Sequence, residues 1–178
     1  MYTFNNNFNL QIEKVFIDPQ GRFIICDIKA NETSLTLANI YAPNEDNPPL
    51  FLDLLDYLGD FKGEDIILGG DYNLVLDLDK DKRGGLSKTH ENRVKIVQEF
   101  SDKLDLVDIW RVLHPDSNSF TWRQRHPRLQ CRLDFFLVSQ STANITPSAD
   151  IVPGYKTDHL MITVRLSLHS IPRGPGFW

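Results

Sequence analysis

The octapeptide Ile66-Ile67-Leu68-Gly69-Gly70-Asp71-Tyr72-Asn73 predicts a buried β-strand that delivers polar side chains at its end. Asp65 to Leu68 is short and nearly all apolar, which is typical of a strand covered on both faces. Gly69 and Gly70 end it, and in extended backbone Asp71 and Asn73 point the same way. Such a pair can hold a water molecule, with the carboxylate as general base and the amide fixing its orientation. Gly, Asp and Asn are also the commonest turn formers, so on this segment alone a turn is the stronger interpretation.

Three strands and a helix are predicted upstream of the octapeptide. The β-rich segments, separated by turn residues, are Gln11 to Ile17, Arg22 to Lys29 and Ser34 to Tyr41. Pro48 to Gly59 carries apolar residues at helical spacing and ends on a glycine, which is typical of a helix C-terminus.

Downstream, a second helix is predicted from Lys88 to Leu104, where four apolar residues form one stripe. Phe120 to Arg123 and Arg132 to Ser139 are predicted as two antiparallel strands joined by an arginine-rich loop, and Leu160 to Leu168 as the last strand. Strands and helices are interspersed without strict alternation. The pattern therefore favours an α/β fold of the α+β type, with mixed or antiparallel sheets and helices on the outer faces.

Composition excludes several protein classes. The 178 residues are 41% hydrophobic and 24% charged, as in a folded domain, and the two cysteines form no CxxC pair. No apolar run reaches the roughly 18–20 residues that span a bilayer, and the N-terminus does not resemble a signal peptide. Membrane, disordered and disulfide-rich secreted classes are excluded, which leaves a soluble, intracellular domain with no membrane partner.

The net charge of −5 argues against a generic nucleic-acid coat protein. Charge is unevenly distributed, however, because residues 121–132 contain four arginines and no acid. That segment is interpreted either as a solvated hairpin face or as a loop that faces phosphate.

Three further signals suggest chemistry. Thr157-Asp158-His159 places an imidazole beside a carboxylate immediately before the last strand. Asp134 lies in a strongly apolar strand, where a carboxylate needs a partner, and a histidine is a natural one. Tyr41 ends a strand and places a phenol where the chain turns.

These residue types suggest hydrolysis of a phosphate ester by an activated water molecule. The chain has no P-loop, no nucleophile elbow and no zinc spacing of Cys and His. Asp77, Asp79 and Asp81 begin like a calcium loop, but lysines occupy the positions that require Gly and Glu. Because gathered carboxylates repel an anionic substrate, a divalent cation, most simply Mg²⁺, is expected.

The motifs, taken in order, resemble the endonuclease/exonuclease/phosphatase superfamily, and within it the apurinic-like endonuclease domain of non-LTR (LINE-type) retrotransposons. The matching stretches are 39–43, 69–73, 81–85, 119–122, 132–136 and 157–159. The resemblance implies a two-sheet β-sandwich flanked by helices over residues 1–170. It also implies that residues 171–178 begin a linker toward an absent reverse-transcriptase region.

The resemblance also implies roles at a metal-dependent, DNA-nicking site. Asp71 would activate water, and Asn73 would orient the water and the phosphate. His159 would bind the scissile phosphate, with Asp134 fixing its orientation, and Tyr41 would contact the phosphate or the leaving oxygen.

Further contacts are implied around these catalytic groups. Asp158 would lie at the metal, which is Mg²⁺ or Mn²⁺. Thr121 would contact the DNA backbone or support the residues that do. Arg123, Arg125 and Arg128 would bind the substrate, since arginine forks suit phosphate. DNA is the expected partner of a monomeric protein, and no protein partner is inferred.

One departure from the family pattern limits the expected activity. The family places a strand with an Asn, and then a metal-binding Glu, well before the Tyr motif, whereas Tyr41 has only forty residues ahead of it. The fold is therefore expected to be incomplete at its N-terminus, with impaired activity. The alternatives are a catalytically inactive remnant that at most binds nucleic acid, a phosphatase or phospholipase of the same superfamily, and a gene fragment without a cellular role.

Overall fold

Eleven strands and four helices form within the residues that the computed structural model describes, which are 10–30, 32–45, 48–59, 65–85, 91–154 and 157–168. The strands are β1 (Leu10–Ile17), β2 (Phe23–Ala30), β3 (Thr33–Tyr41), β4 (Ile66–Asp71), β5 (Lys82–Gly84), β6 (Leu106–Asp108), β7 (Trp122–Gln124), β8 (Leu129–Cys131), β9 (Asp134–Ser139), β10 (Ser148–Val152) and β11 (Met161–Arg165). The helices are α1 (Pro48–Gly59), α2 (Glu91–Lys103), α3 (Ile109–Leu113) and α4 (Gln140–Asn144). None of these helices has the length and apolar character needed to cross a membrane.

A six-stranded sheet in the order β1-β2-β3-β4-β9-β6 forms the centre of the fold. The β3–β4 pair is parallel and the other pairs are antiparallel. A helix, α1, makes the crossover that a parallel pair requires. The octapeptide strand β4 therefore lies inside the sheet, between β3 and β9.

Alternating residues of the central strands serve two separate cores. Leu68 and Leu137 lie in a cluster with apolar residues of α1 and α2, whereas their neighbours Ile67 and Val138 lie in a second cluster. The hairpin β10–β11 packs against this second cluster through Ile151 and other residues. The sheet thus has α1 and α2 on one face, and the two-stranded sheet with the short helices α3 and α4 on the other. This arrangement confirms the predicted class of mixed sheets flanked by helices.

The prediction for the arginine-rich region was wrong in its pairing. Residues 120–123 do not pair with 132–139. Instead, β7 pairs with β8 inside the arginine-rich segment, and β5 joins them to form a small three-stranded sheet. The apolar strand β9 pairs with β4 and β6 because its side chains are buried on both faces of the central sheet.

Other boundaries differ less from the prediction. The first three strands and α1 lie where they were predicted, whereas β4 continues through both glycines to Asp71. The second helix was predicted to begin at Lys88, and its first residues fall in the range 86–90, outside the described residues. The predicted linker, residues 171–178, also lies outside the described residues. Short elements of three to five residues, such as β5, β6 and α4, were not predicted, since they are too short to show a period.

The two glycines of β4 are required by close neighbours. A Cβ atom at Gly69 would collide with the ring of Phe136 on the adjacent strand. Gly70 has φ +149°, a conformation that L-residues rarely adopt, and a Cβ there would collide with the carbonyl oxygen of Ile40. The glycines therefore let β4 run between β3 and β9 as far as Asp71, at the C-terminal end of the strand.

We expect Gly70→Ala to lower the free energy of unfolding by at least about 2 kcal/mol, because backbone strain and a backbone clash both oppose the side chain. Gly59→Ala is the control, since a Cβ there meets open space. Urea denaturation of both variants measures the difference. Equal stability of the two variants would contradict the interpretation of Gly70.

Candidate active site

Three polar side chains lie side by side at one end of three neighbouring strands, where β3 and β4 end and the antiparallel β9 begins. Tyr41 of β3 is the register partner of Asp71 of β4, and Asp71 is the register partner of Asp134 of β9. Residues directly opposite one another share a face of a sheet. We call Tyr41, Asp71 and Asp134 the strand-end row. The sequence predicted these residues as separate signals, and the strand register brings them together.

His159 joins the row through Asp134. Nδ1 of His159 lies 2.9 Å from Oδ2 of Asp134, which confirms the prediction that this carboxylate has a histidine partner. The segment around His159 is held against β7, because the N–H of Leu160 donates to the carbonyl of Thr121 and the N–H of Arg123 donates to the carbonyl of Asp158. The carboxylate of Asp134 can accept a hydrogen bond from Nδ1–H of His159, which leaves Nε2 for a ligand.

Thr121 supports this pair from inside the protein. Its side chain is fully buried, and its Oγ1 accepts hydrogen bonds from the N–H groups of Leu133 and Asp134 at 2.9 and 3.0 Å. Of the two expected roles, contact with DNA and support of the site, the structure provides the second. Thr121 fixes the backbone from which Asp134 projects.

Asn73 lies beside Asp71 in a turn, which is the interpretation that the segment alone favoured, and not in extended backbone. The strand ends at Asp71, and Asn73 has φ +48°, so the two residues do not belong to one extended segment. Instead, the N–H of Asn73 donates to Oδ1 of Asp71 at 2.8 Å, which makes the segment an Asx-type turn. Nδ2 of Asn73 donates to the carbonyl of Ala42 at 2.7 Å and ties this turn to the end of β3.

An open groove of about 1260 Å³ begins at this site. Tyr41, Asp71, Asn73 and His159 line one part of it. Its other walls come from the 74–78 loop, α2 and the small sheet, and they include apolar residues such as Leu76. The groove is large enough to take a segment of an extended polymer beside the strand-end row.

The environment of Asp71 raises the pKa of its carboxyl group to about 6. Burial is the largest cause, since it disfavours the charged form, and the negative charges of Asp134 and Asp158 act in the same direction. The hydrogen bond from Asn73 and the charge of His159 oppose the shift. Asp71 is thus a stronger proton acceptor than an ordinary carboxylate and is still largely ionised above neutral pH.

We expect Asp71→Asn to stabilise the metal-free protein at pH 7.5 by about 1–2 kcal/mol, a value reduced from the full shift because the side chain is partly exposed. The folded-state pKa of about 6 lies above the ordinary value of 3.8, so ionisation disfavours the folded state. This cost is absent below pH 4 and grows as the pH rises through 6. Thermal melts in EDTA from pH 4 to 8 measure it, and a gain that does not change with pH would contradict the assignment.

Three of the described side chains could together hold a cation. Ligand atoms of Asp71, Asp134 and His159 lie within 4.8 Å of one another. Asp158, the residue expected at the metal, is not in this group. Its exposed carboxylate accepts a hydrogen bond from the indole N–H of Trp122 at 2.8 Å, and this bond is the main reason that its pKa is lowered.

The arginine-rich segment forms the β7–β8 hairpin next to this site. Arg123, Arg125 and Arg128 are exposed and line a second cavity of about 1020 Å³, which Thr157 and Asp158 also line. The hairpin therefore presents three guanidinium groups beside the segment that carries His159.

Sequence reasoning missed the buried Arg93, and it was wrong to count Arg132 among the arginines of 121–132 that face solvent or phosphate, because Arg132 is buried. Arg93 is on α2, and Arg132, immediately before Leu133 and Asp134, pairs with Asp81 and Asp108. A signal for Arg93 was present, because with Val97 and Phe100 it follows the i, i+4, i+7 spacing of a buried helix face.

The model of the Endonuclease/Exonuclease/phosphatase family matches residues 7–159. A curated relative, the "Transposon TX1 uncharacterized 149 kDa protein" of Xenopus laevis, is 25% identical over 182 residues, which cover 98% of this chain and 14% of that protein. The chain thus spans about one seventh of the length of this relative.

Two solved structures have a similar fold. The 3' phosphatase NExo from Neisseria, bound to a product DNA hairpin, has a TM-score of 0.67 at 21% identity, covering 88% of this chain and 72% of its own. The endonuclease domain of TRAS1, a telomere-specific non-LTR retrotransposon, has a TM-score of 0.68 at 15% identity, covering 93% of this chain and 72% of its own.

These similarities confirm the resemblance that the sequence motifs suggested, both to the superfamily and to retrotransposon proteins. The range matched by the family model contains the whole strand-end row and His159, so the match includes the candidate site as well as the sheet that builds it. The chain belongs to the Endonuclease/Exonuclease/phosphatase family.

Proposed function

We propose that this chain hydrolyses phosphodiester bonds in DNA as a metal-dependent nicking endonuclease. The observation that carries the proposal is the strand-end row with His159 in the lining of an open groove of about 1260 Å³. A proton acceptor, an oriented imidazole and a phenol at one place are what attack of water on a phosphate ester requires.

Each residue has a role that follows from its contacts. Asp71, with a pKa of about 6, accepts the proton of the attacking water. When both ring nitrogens carry a proton, His159 donates Nδ1–H to Asp134 and Nε2–H to a phosphate oxygen. Tyr41 is 61% exposed, so its phenol can reach the phosphate or the leaving oxygen. Asn73 fixes the carboxylate of Asp71 through its backbone N–H.

A divalent cation fits the donor set. Asp71 and Asp134 offer the carboxylate oxygens that Mg²⁺ and Mn²⁺ accept, and Nε2 of His159 stays with the phosphate. When bound, such an ion neutralises charge on the phosphate oxygens. Asp158 directly precedes His159 in the chain and remains the ligand that the family resemblance implies.

DNA is the proposed substrate for two reasons. The β7–β8 hairpin presents Arg123, Arg125 and Arg128 beside the His159 segment, and guanidinium groups bind the phosphates of a phosphodiester backbone well. In addition, the NExo structure contains a product DNA hairpin, and the TRAS1 structure is an endonuclease domain.

Nicking of supercoiled plasmid by residues 1–178 in Mg²⁺, Mn²⁺ or EDTA tests the proposal. We expect nicking with either metal and none in EDTA, and a loss of at least about 10²-fold in His159→Ala. Glu99→Ala, in an exposed surface pair, is the control with unchanged activity.

Two other outcomes would each contradict the proposal. Salt-sensitive DNA binding by the folded protein, without turnover in either metal, would identify an inactive remnant. Release of phosphate from a 3'-phosphorylated oligonucleotide, without plasmid nicking, would identify a phosphatase, the activity named for NExo.

A further inference from the structure

Arg93 of α2 bonds the backbone of both loops that carry the candidate site. Nη1 donates to the carbonyl of Asn44 at 3.1 Å, and Nη2 donates to the carbonyls of Pro43 and Tyr72 at 2.9 and 3.3 Å. Pro43 and Asn44 lie two and three residues after Tyr41, where β3 ends, and Tyr72 lies between Asp71 and Asn73. One guanidinium group therefore spans the ends of β3 and β4.

We infer that Arg93 is a positioning residue that sets the separation of Tyr41 from Asp71 and Asn73. It lies outside all the sequence motifs, and its side chain is only 4% exposed, so it acts from inside the protein without touching a substrate. The inference rests on the proposed function for its kinetic consequence but not for its structural one.

Other hydrogen bonds join the same two loops, and the buried Arg93 side chain adds to them from inside the protein. The N–H of Ala42 donates to the carbonyl of Asp71 at 2.8 Å, and Nδ2 of Asn73 donates to the carbonyl of Ala42 at 2.7 Å. These bonds fix the loops only while their backbones stay at that distance. Because a guanidinium group is planar with donors in a rigid fork, it holds several carbonyls in one geometry, which a lysine ammonium cannot do.

Loss of the fork is expected to move the proton acceptor relative to the phenol rather than to remove either group. A displacement of about 1 Å in a catalytic constellation can cost about 10²-fold in rate. Substrate binding is assigned to the exposed guanidinium groups of the hairpin, whereas the three hydrogen bonds of Arg93 given above go to loop carbonyls. The kinetic effect should therefore appear in kcat and leave KM nearly unchanged.

Arg93→Lys tests the inference, with Arg93→Gln as a second variant and Arg22→Lys as the matched control. Arg22 is also largely buried, at 12% exposed, but its described side-chain bonds go to carboxylates of Asp18 and Asp53 and not to the site loops. Hydrogen exchange is measured on metal-free protein, and plasmid nicking is measured with Mg²⁺.

We expect the amides of Ala42 and Asn73 to exchange at least about tenfold faster in Arg93→Lys, while amides of the β2–β3 ladder keep their rates. We also expect kcat to fall by about 10- to 100-fold with KM within about twofold. Arg22→Lys should change neither the two loop amides nor kcat. Arg93→Gln should speed the exchange of the two loop amides and lower kcat more than Arg93→Lys does.

The outcomes separate this inference from the proposed function. If the wild type does not nick DNA, the proposed function fails, and the exchange rates alone decide whether Arg93 positions the loops. If Arg93→Lys and Arg93→Gln leave the two loop amides unchanged, or speed up all core amides equally, the positioning role is overturned even where nicking is observed.

Discussion

Asp134→Asn is expected to slow plasmid nicking by about 10²–10⁴-fold, with KM for DNA nearly unchanged. The carboxylate of Asp134 holds Nδ1 of His159 at 2.9 Å, which leaves Nε2 for the phosphate. An asparagine of the same shape can present its own N–H to Nδ1. The neutral imidazole can still donate Nε2–H to the phosphate, but the amide no longer stabilises the imidazolium, whose positive charge would offset the charge that develops on the phosphate. The orientation of the ring survives, so binding should persist while kcat falls.

The control for this variant is Asp150→Asn, which removes an exposed carboxylate on β10. Thermal melts of both variants exclude unfolding as the cause of a lower rate. Steady-state kinetics over a range of plasmid concentrations separates kcat from KM. If kcat of Asp134→Asn stays within about threefold of the wild-type value, His159 does not depend on Asp134 and the proposed division of roles is wrong.

The first half of the fold could be predicted because its elements are long and periodic. The strands β1 to β3 carry β-branched residues between clear turns, and α1 was predicted with the bounds Pro48–Gly59 that the structure has. The region after Phe120 could not be predicted as well, because two strands of three residues give no period. The apolar strand β9 was recognised, but its partners β4 and β6 depend on burial, which a local pattern does not specify.

The candidate site was predicted residue by residue, but not as a geometry. The need of Asp134 for a partner follows from the cost of burying a carboxylate, so it was visible in the sequence. The row of Tyr41, Asp71 and Asp134 depends on strand register, and the position of Asn73 depends on a turn that replaces extended chain. The contacts of Arg93 needed the packing of α2 against two loops, which no motif encodes.

Asp81→Ala is expected to lower the free energy of unfolding by about 3–5 kcal/mol, because it leaves a buried charge without its main partner. Asp81 is fully buried, and its two oxygens accept hydrogen bonds from Nε and Nη2 of Arg132 at 2.7 and 2.8 Å. A third bond comes from Nη2 of Arg111. Arg132 is 1% exposed and keeps only Asp108 as an ionic partner among the described residues once Asp81 is removed. Guanidinium denaturation at pH 7 measures the loss.

The matched control is Glu99→Ala, which breaks the exposed pair with Lys95 at 3.8 Å and should change stability by less than about 0.5 kcal/mol. A double-mutant cycle then tests the reason for the large effect. Arg132→Met in the Asp81→Ala background removes the buried charge that has lost its partner. The double variant should therefore lose less unfolding free energy than the two single variants together, by at least about 1 kcal/mol. Strictly additive losses would mean that the two side chains stabilise the fold through packing alone. Coupled losses would show that the two charges stabilise each other inside the protein.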